Sequence, residues 1–424
     1  MSTIKQFIAR EIIDSSGYPT LKGALILQNN LQVQLEIPST INKQNSNELV
    51  SLRDGEDRYL GYGMSKAVNI INNAISEKLK GVSVFQQKEI DIWLNKADTT
   101  EKKEKLGAST LMLISYLCAL AGAKIKNQPL YLYLNELYNS YYEKIKINTI
   151  PTPIVTLING GKYSNNMLDF KEFYLLFSSK VDLERAIEIS VETYHRLKDT
   201  LLYRNVSTSM AEQGGFSPNL SSNLDAFDLM LETFIKGNLK LGLDVFTGID
   251  AGAEDYYTGS GYKFAGDPQE KTTTDYYKFI NQLIKDYHLL YLEDAFAKED
   301  TENKIKFYEE ISNFGYIAQD YFNNYSLKSI ENELKQKTVN TLVLKLTRYP
   351  TLTDFFAIVD LCKKNNITYV VSQEISETNQ TFSVDLAVAT QAQFVKFGAP
   401  VKGERVVKYN RILEISQELK KANL

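Results

Sequence analysis

Hydrophobic and polar positions alternate through residues 2–37 (TIKQFIAREIID, TLKGALILQNNLQVQLEIP), which predicts a meander of antiparallel strands with one buried face. A polar stretch without period follows over 39–63. A helical period then covers 65–79, 84–97 and 106–125, the last so apolar that it must be buried. From about residue 150 the pattern changes to short apolar runs: PIVTLIN, DFKEFYLLF, VSTSM, DVFTGID, HLLYLED, GYIAQD, TLVLKL, TYVVSQ and QFVKFG. Amphipathic stretches such as DAFDLMLETFIKG, TDYYKFINQLIKDY, TENKIKFYEEISNF and TLTDFFAIVDLCKKN lie between most of them. This alternation predicts parallel strands with crossover helices, near the count of an eight-stranded barrel with an irregular opening unit. The stretch YNSYYEKIKINTIPTP, with its two prolines, marks the change of pattern. We expect an α+β capping domain over 1–140 and an α/β domain, a (β/α)₈-type barrel, over 141–424.

Composition adds a few exclusions. A chain of 424 residues suits two domains, and 43% hydrophobic with 24% charged residues is ordinary for a globular protein. A net charge of -4 gives no reason to expect nucleic acid or an anionic membrane as partner. Cys118 and Cys362 sit in apolar helical stretches and read as buried reduced thiols rather than a disulfide or a metal site. The stretch MSTIKQFIAREIID has no signal-peptide core, and we expect no membrane span and a cytoplasmic protein. His195 and His288 fall away from strand ends, so imidazole chemistry is not expected, and the 27 tyrosines read as filling rather than a binding code.

Four residues carry the chemistry. Asp250 in VFTGID, Glu293 in HLLYLED, Asp320 in YIAQD and Lys345 in NTLVLKLT each close an apolar run. In a barrel of βα units the strand C-terminal ends converge on one face, so residues distant in sequence meet there. Three carboxylates in one pocket repel unless a cation sits between them, and oxygen ligands suit Mg²⁺. A lysine beside such a metal serves as a base once its pKa is lowered. Each acid alone reads as a helix cap, and Lys345 alone as a salt-bridge partner; together they read as a metal-assisted site.

The motifs then resemble the enolase family over essentially the whole chain. REIIDSSGYPT, LRDGEDRYLGYGMSKAV, PTPIVTLINGG, EQGGFSPNL, GIDAGAEDYY, YLEDAF and KFGAPVKGERVVKYN follow that family's order and spacing. The resemblance implies an N-terminal α+β domain capping a barrel, a homodimer or higher homo-oligomer, and a small carboxylic acid as ligand. It implies Mg²⁺ on Asp250, Glu293 and Asp320, Lys345 as general base, and Lys396 in FVKFG on the substrate carboxylate. Glu172 in KEF joins the same pocket; a lysine base paired with Mg²⁺ is the superfamily's general pattern, not a deduction from spacing.

The departures fall in that pocket. Where the resemblance implies a glutamate that protonates the leaving hydroxyl, this chain has Gln213, whose amide cannot deliver a proton near neutral pH. The SHRSGET segment, whose arginine and serine bind phosphate, reads SQEISET, with Gln373, Glu374 and Ile375 in place of His, Arg and Ser. A carboxylate there repels phosphate instead of binding it. Asn42 replaces the serine of a second metal site, so one Mg²⁺ is expected, and Tyr163 and Tyr321 replace a histidine and an aspartate. Arg348 and Lys402 are nearby cations able to restore anion binding. Two functions follow. One is a lyase-type enzyme that abstracts a proton α to a carboxylate, with inefficient 2-phosphoglycerate turnover. The other is a catalytically silent paralogue acting as a binding or scaffold protein.

Overall fold

The structure, a computed structural model, describes residues 2–38, 48–55, 57–164, 166–320, 322 and 325–422. Strands β1 (Ile4–Ile13), β2 (Pro19–Leu27) and β3 (Gln32–Ile37) form the antiparallel meander that the alternation predicts. One face of the meander lies on the helix Ala108–Ile125, where a Cβ at Gly23 would meet the Leu113 side chain at 2.8 Å. That helix is 18 residues long and apolar enough by composition to cross a membrane, more than the sequence reading allowed. It is 83% buried inside the protein, between the sheet and its neighbouring helices. All-round apolarity here marks a core helix with protein on every side.

Eight strands close the barrel: β4 (Thr152–Asn159), β5 (Glu172–Phe177), β6 (Val245–Asp250), β9 (Leu289–Glu293), β10 (Tyr316–Gln319), β11 (Thr341–Lys345), β12 (Thr368–Ser372) and β13 (Phe394–Lys396). A small two-stranded ribbon, β7 (Gly261–Tyr262) with β8 (Lys271–Thr272), stands apart from it. β5 runs antiparallel to both β4 and β6, and the remaining barrel pairs are parallel. Eight of the nine strand-like runs are barrel strands. The exception is VSTSM, where only Met210 makes an isolated bridge, to Phe216. Its Ser and Thr side chains offer little apolar area to a barrel wall.

The lower barrel interior is filled by Ile154, Tyr174, Leu176, Tyr291, Ala318, Val343, Val370 and Phe394. Side chains two positions apart on a strand share a face. Stepping two residues toward the mouth from Tyr174, Tyr291, Ala318, Val343, Val370 and Phe394 therefore reaches Glu172, Glu293, Asp320, Lys345, Ser372 and Lys396. The step works in reverse order along β5 because that strand runs the other way. Barrel closure and strand pleat together gather the polar set.

Candidate functional site

The mouth of the barrel holds a cavity of about 20 Å³ lined by Tyr163, Glu172, Gln213, Asp250, Glu293, Asp320, Lys345, Gln373, Glu374 and Lys396. The described residues assigned from the sequence to catalysis, substrate and metal thus meet in one place, while Arg348 and Lys402 do not line it. Room for about one water remains, because ion pairs span the space. Lys396 Nζ lies 2.7 Å from both carboxylate oxygens of Glu293 and donates to the Tyr174 hydroxyl at 3.1 Å. Lys345 Nζ lies 2.8 Å from Asp320 Oδ2. Asn42 and Tyr321 lie outside the described residues.

The acids differ in what surrounds them. Burial pushes the carboxyl groups of Asp250 and Glu293 up, against the lowering pull of Lys171 and Lys396 on the first and of Lys396 on the second. Asp320 is also buried, but Arg348 and Lys345 outweigh that and hold it well below the usual carboxylate range. Asp250, Glu293 and Asp294 can each offer an oxygen such that all three lie within 4.8 Å of one another. Asp250 Oδ1 is buried with no hydrogen-bond partner among the described residues. An all-oxygen donor set with one orphaned carboxylate oxygen fits a hard divalent cation. In this geometry Asp294 joins Asp250 and Glu293 in the close group, while Asp320 faces Lys345 and Arg348.

The protonation of Lys345 is set by two opposed effects. Burial alone would lower it, yet Asp320 wins and the Lys345 ammonium is held above its ordinary value. Lys396 is raised by Glu293 in the same way, burial notwithstanding. Around Glu172 the contacts are all donors: Thr156 Oγ1 at 2.8 Å and Tyr174 Oη at 2.9 Å. The amide of Gln213 satisfies its surroundings when its nitrogen faces Glu172 Oε2 at 3.0 Å.

Sequence reasoning missed Lys171, Asp294, Tyr174 and Tyr291. Lys171 and Asp294 immediately adjoin Glu172 and Glu293, so proximity at a strand end was the available signal. The tyrosines carry a period-2 signal: Tyr174 and Tyr291 stand two residues from those acids and donate to them, the latter to Glu293 Oε2 at 2.8 Å. These two tyrosines therefore support the site, a correction to reading them as filling. His195 and His288 line no part of the cavity.

Comparison with known proteins decides the family. Residues 4–134 match the family model described as "Enolase, N-terminal domain", and 147–424 match "Enolase, C-terminal TIM barrel domain". A protein named Enolase from Ehrlichia canis is 33% identical over 418 residues, covering 98% of this chain and 97% of that protein. Enolase from Natranaerobius thermophilus is 33% identical over 419 residues, covering 99% and 96%. Enolase from Ehrlichia ruminantium is 34% identical over 417 residues, covering 98% and 96%. The chain belongs to the enolase family.

The enolase-family pocket in this chain has an acid where the family resemblance implies a phosphate-binding arginine. Glu374 lines the cavity, accepts a hydrogen bond from Thr347 Oγ1, and is pushed up by burial against the pull of Lys345. Gln373 donates its amide to the Phe397 carbonyl. Arg348 is committed elsewhere: its Nη1 lies 2.7 Å from both the Asp320 carbonyl and Oδ1, its Nη2 is 3.2 Å from Glu48, and its plane covers Tyr325. Lys402 Nζ is spent on the Ala211 and Glu212 carbonyls at 2.8 and 3.1 Å, where it anchors the loop that carries Gln213. Arg405 donates to the Glu212 and Ile375 carbonyls at 2.9 Å, tying the Gln213 and Glu374 loops together.

Proposed function

We propose that this chain is a Mg²⁺-dependent, lyase-type member of the enolase family that removes a proton α to a carboxylate and turns over 2-phosphoglycerate poorly. The observation that carries the reading is the single cavity in which Lys345, Lys396 and the acids Asp250, Glu293 and Asp320 meet, with Glu374, which the resemblance aligns with a phosphate-binding arginine, on the same lining. A bound Mg²⁺ would supply positive charge where the carboxylate of the substrate gains electron density, held by Asp250, Glu293 and either Asp294 or Asp320. Lys396 Nζ would hold the substrate carboxylate after leaving Glu293. Lys345 Nζ would take the α-proton, which requires a neutral amine and hence release from Asp320. Gln213 hydrogen-bonds Glu172 but has no proton to give a leaving hydroxide. Loss of a general acid costs about 10²–10⁴ in rate. We further propose a cytoplasmic homodimer or higher oligomer with a small carboxylic acid as ligand, and Glu172 as a buried hydrogen-bonding partner within the pocket.

A second reading, a silent paralogue used for binding, draws on the full neutralisation of Lys345 by Asp320 and of Lys396 by Glu293. One experiment separates them. Pure protein in deuterium oxide with Mg²⁺ and a panel of carboxylic acids is followed for deuterium at the α-carbon, beside turnover of 2-phosphoglycerate. The enzyme reading expects exchange into at least one acid that falls about 10²-fold or more in Lys345→Ala. No exchange into any acid leaves the silent reading. Turnover of 2-phosphoglycerate near the typical enzyme rate of about 10 s⁻¹ would overturn the loss of the phosphate and acid functions.

A further inference from the structure

The segment that carries Gln373 and Glu374 spends its donors inside the protein. The Gln373 backbone N–H goes to the Lys396 carbonyl at 3.2 Å and its side-chain amide to the Phe397 carbonyl. The Glu374 N–H goes to Glu377 Oε1 at 3.0 Å, and the neighbouring Ile375 side chain on the cavity lining is apolar. Two acceptors are left over. Gln373 is only 7% exposed, and its Oε1 is buried with no hydrogen-bond partner among the described residues. Glu374 gives Oε1 to the Thr347 hydroxyl, while its Oε2 makes no hydrogen bond or ion pair among the described residues. Lys345 and Arg348 draw on this carboxylate and Glu48 repels it, but both cations are already paired with Asp320, at 2.8 and 2.7 Å. The lining as a whole is short of positive charge, with Glu172, Asp250, Glu293, Asp320 and Glu374 against Lys345 and Lys396. One divalent cation still leaves the acids in excess.

We infer that the carboxylic acid taken by this mouth is an amino acid, with its ammonium on Glu374 and Gln373 and its carboxylate on Lys396. The inference rests on the carboxylate site of the proposed function and names the group that stands where phosphate is disfavoured. An ammonium has three N–H donors and no acceptor, which suits a surface that can only accept. Its hydrogen bond to Glu374 is charge-assisted, and the orphaned oxygen of Gln373 gains a partner that burial otherwise denies it. A zwitterion also adds no net charge to a lining already rich in acid. A hydroxy acid brings a negative charge with only neutral O–H donors, and a phosphate brings further charge that Glu374 repels. Entry opens the small cavity by releasing Lys396 from Glu293, the same displacement that the proposed function requires.

Racemic serine and racemic glycerate share one carbon frame and differ by an ammonium against a hydroxyl on the α-carbon. Each is titrated into the full-length protein with Mg²⁺ at neutral pH, and the labelled methyl groups of Ile375, on the cavity lining, are followed by NMR. The expected result is a saturable shift that serine produces at a concentration about tenfold or more below that of glycerate. Glu374→Gln, close in shape and without the charge, removes most of that preference; the comparison of the two acids in the wild-type protein stands without the variant. Three results would each overturn the inference: serine binding no tighter than glycerate, a preference that survives Glu374→Gln, or Ile375 unmoved by serine up to about 20 mM, a millimolar ceiling for so small a ligand. Deuterium at the α-carbon is read in the same samples. A preference for serine without exchange into any acid would sink the enzyme reading and leave amino-acid recognition standing. Exchange into glycerate without a preference for serine would do the reverse.

Discussion

Lys345 shows how one side chain can be legible by position while its protonation state is not. Its place at the end of an apolar run put it at the barrel mouth, but its protonation depends on Asp320 at 2.8 Å, which comes from another strand. Tyr174 and Tyr291 are a related case: period 2 puts each on the face of an acid two residues away, and the folded strand shows its hydroxyl donating to that acid. The place of Glu374 in the cavity, with Arg348 and Lys402 committed to other partners, supports the proposal that Glu374 is an obstacle to phosphate. Glu374→Arg is expected to tighten phosphoenolpyruvate binding at least tenfold, since a repulsive charge gives way to a charge-assisted donor worth about 1.5–3 kcal/mol. Glu374→Gln should fall between the two. Isothermal titration calorimetry of the three proteins checks this, and equal affinities would acquit Glu374 of excluding phosphate.

Among the elements, the helix ends that join the two halves of the molecule carry a pH-dependent contact. Asp91, in the helix Gln87–Ala97, accepts from Gln87 Nε2 and from the Thr353 N–H at the start of the barrel helix Leu352–Lys364, both at 3.0 Å. Burial, with the nearby Asp354 charge adding and hydrogen bonds opposing, pushes its carboxyl up to about 7. The unfolded chain releases this proton near about 4. Between those values the folded protein holds a proton that the unfolded chain has lost. Asp91 therefore favours folding below about 4, and that contribution is lost as pH rises through 7. Asp91→Asn removes the titration. From about pH 5 to pH 8 the unfolding free energy of the variant should gain on wild type, by at most about 1.4 kcal/mol per pH unit. Parallel denaturant titrations at each pH measure it, and a difference independent of pH would refute the assignment. The element pattern was mostly readable because period 2 and period 3.6 are local properties. The reversed direction of β5 was not, since a strand reads alike in either direction.

For the whole molecule, a cation held by the acidic group at the barrel mouth would couple its binding to folding, because the oxygens come from strands that meet only in the closed barrel. A cation that binds the folded state alone stabilises it by about 2.7 kcal/mol at a hundred times its Kd. Mg²⁺ should therefore raise the melting temperature in a concentration-dependent way, and chelation should reverse the rise. Asp250→Asn, which removes the carboxylate with the orphaned buried oxygen, should abolish most of the increment. A melting temperature indifferent to Mg²⁺ in the wild-type protein would remove the support for a metal centre here.

Most of the order of strands and helices, the barrel class, and the polar residues at the strand ends were determined by sequence alone. Each depends on side-chain period and on polar residues at the ends of apolar runs, and both are written along the chain. The tertiary structure decided which charges neutralise one another. Asp294 joins the close acidic group, Asp320 holds Lys345 as an ammonium, and Arg348 and Lys402 are bound to partners far away in sequence. Electrostatic pairing depends on distance through space and on burial, and neither exists until the barrel has closed.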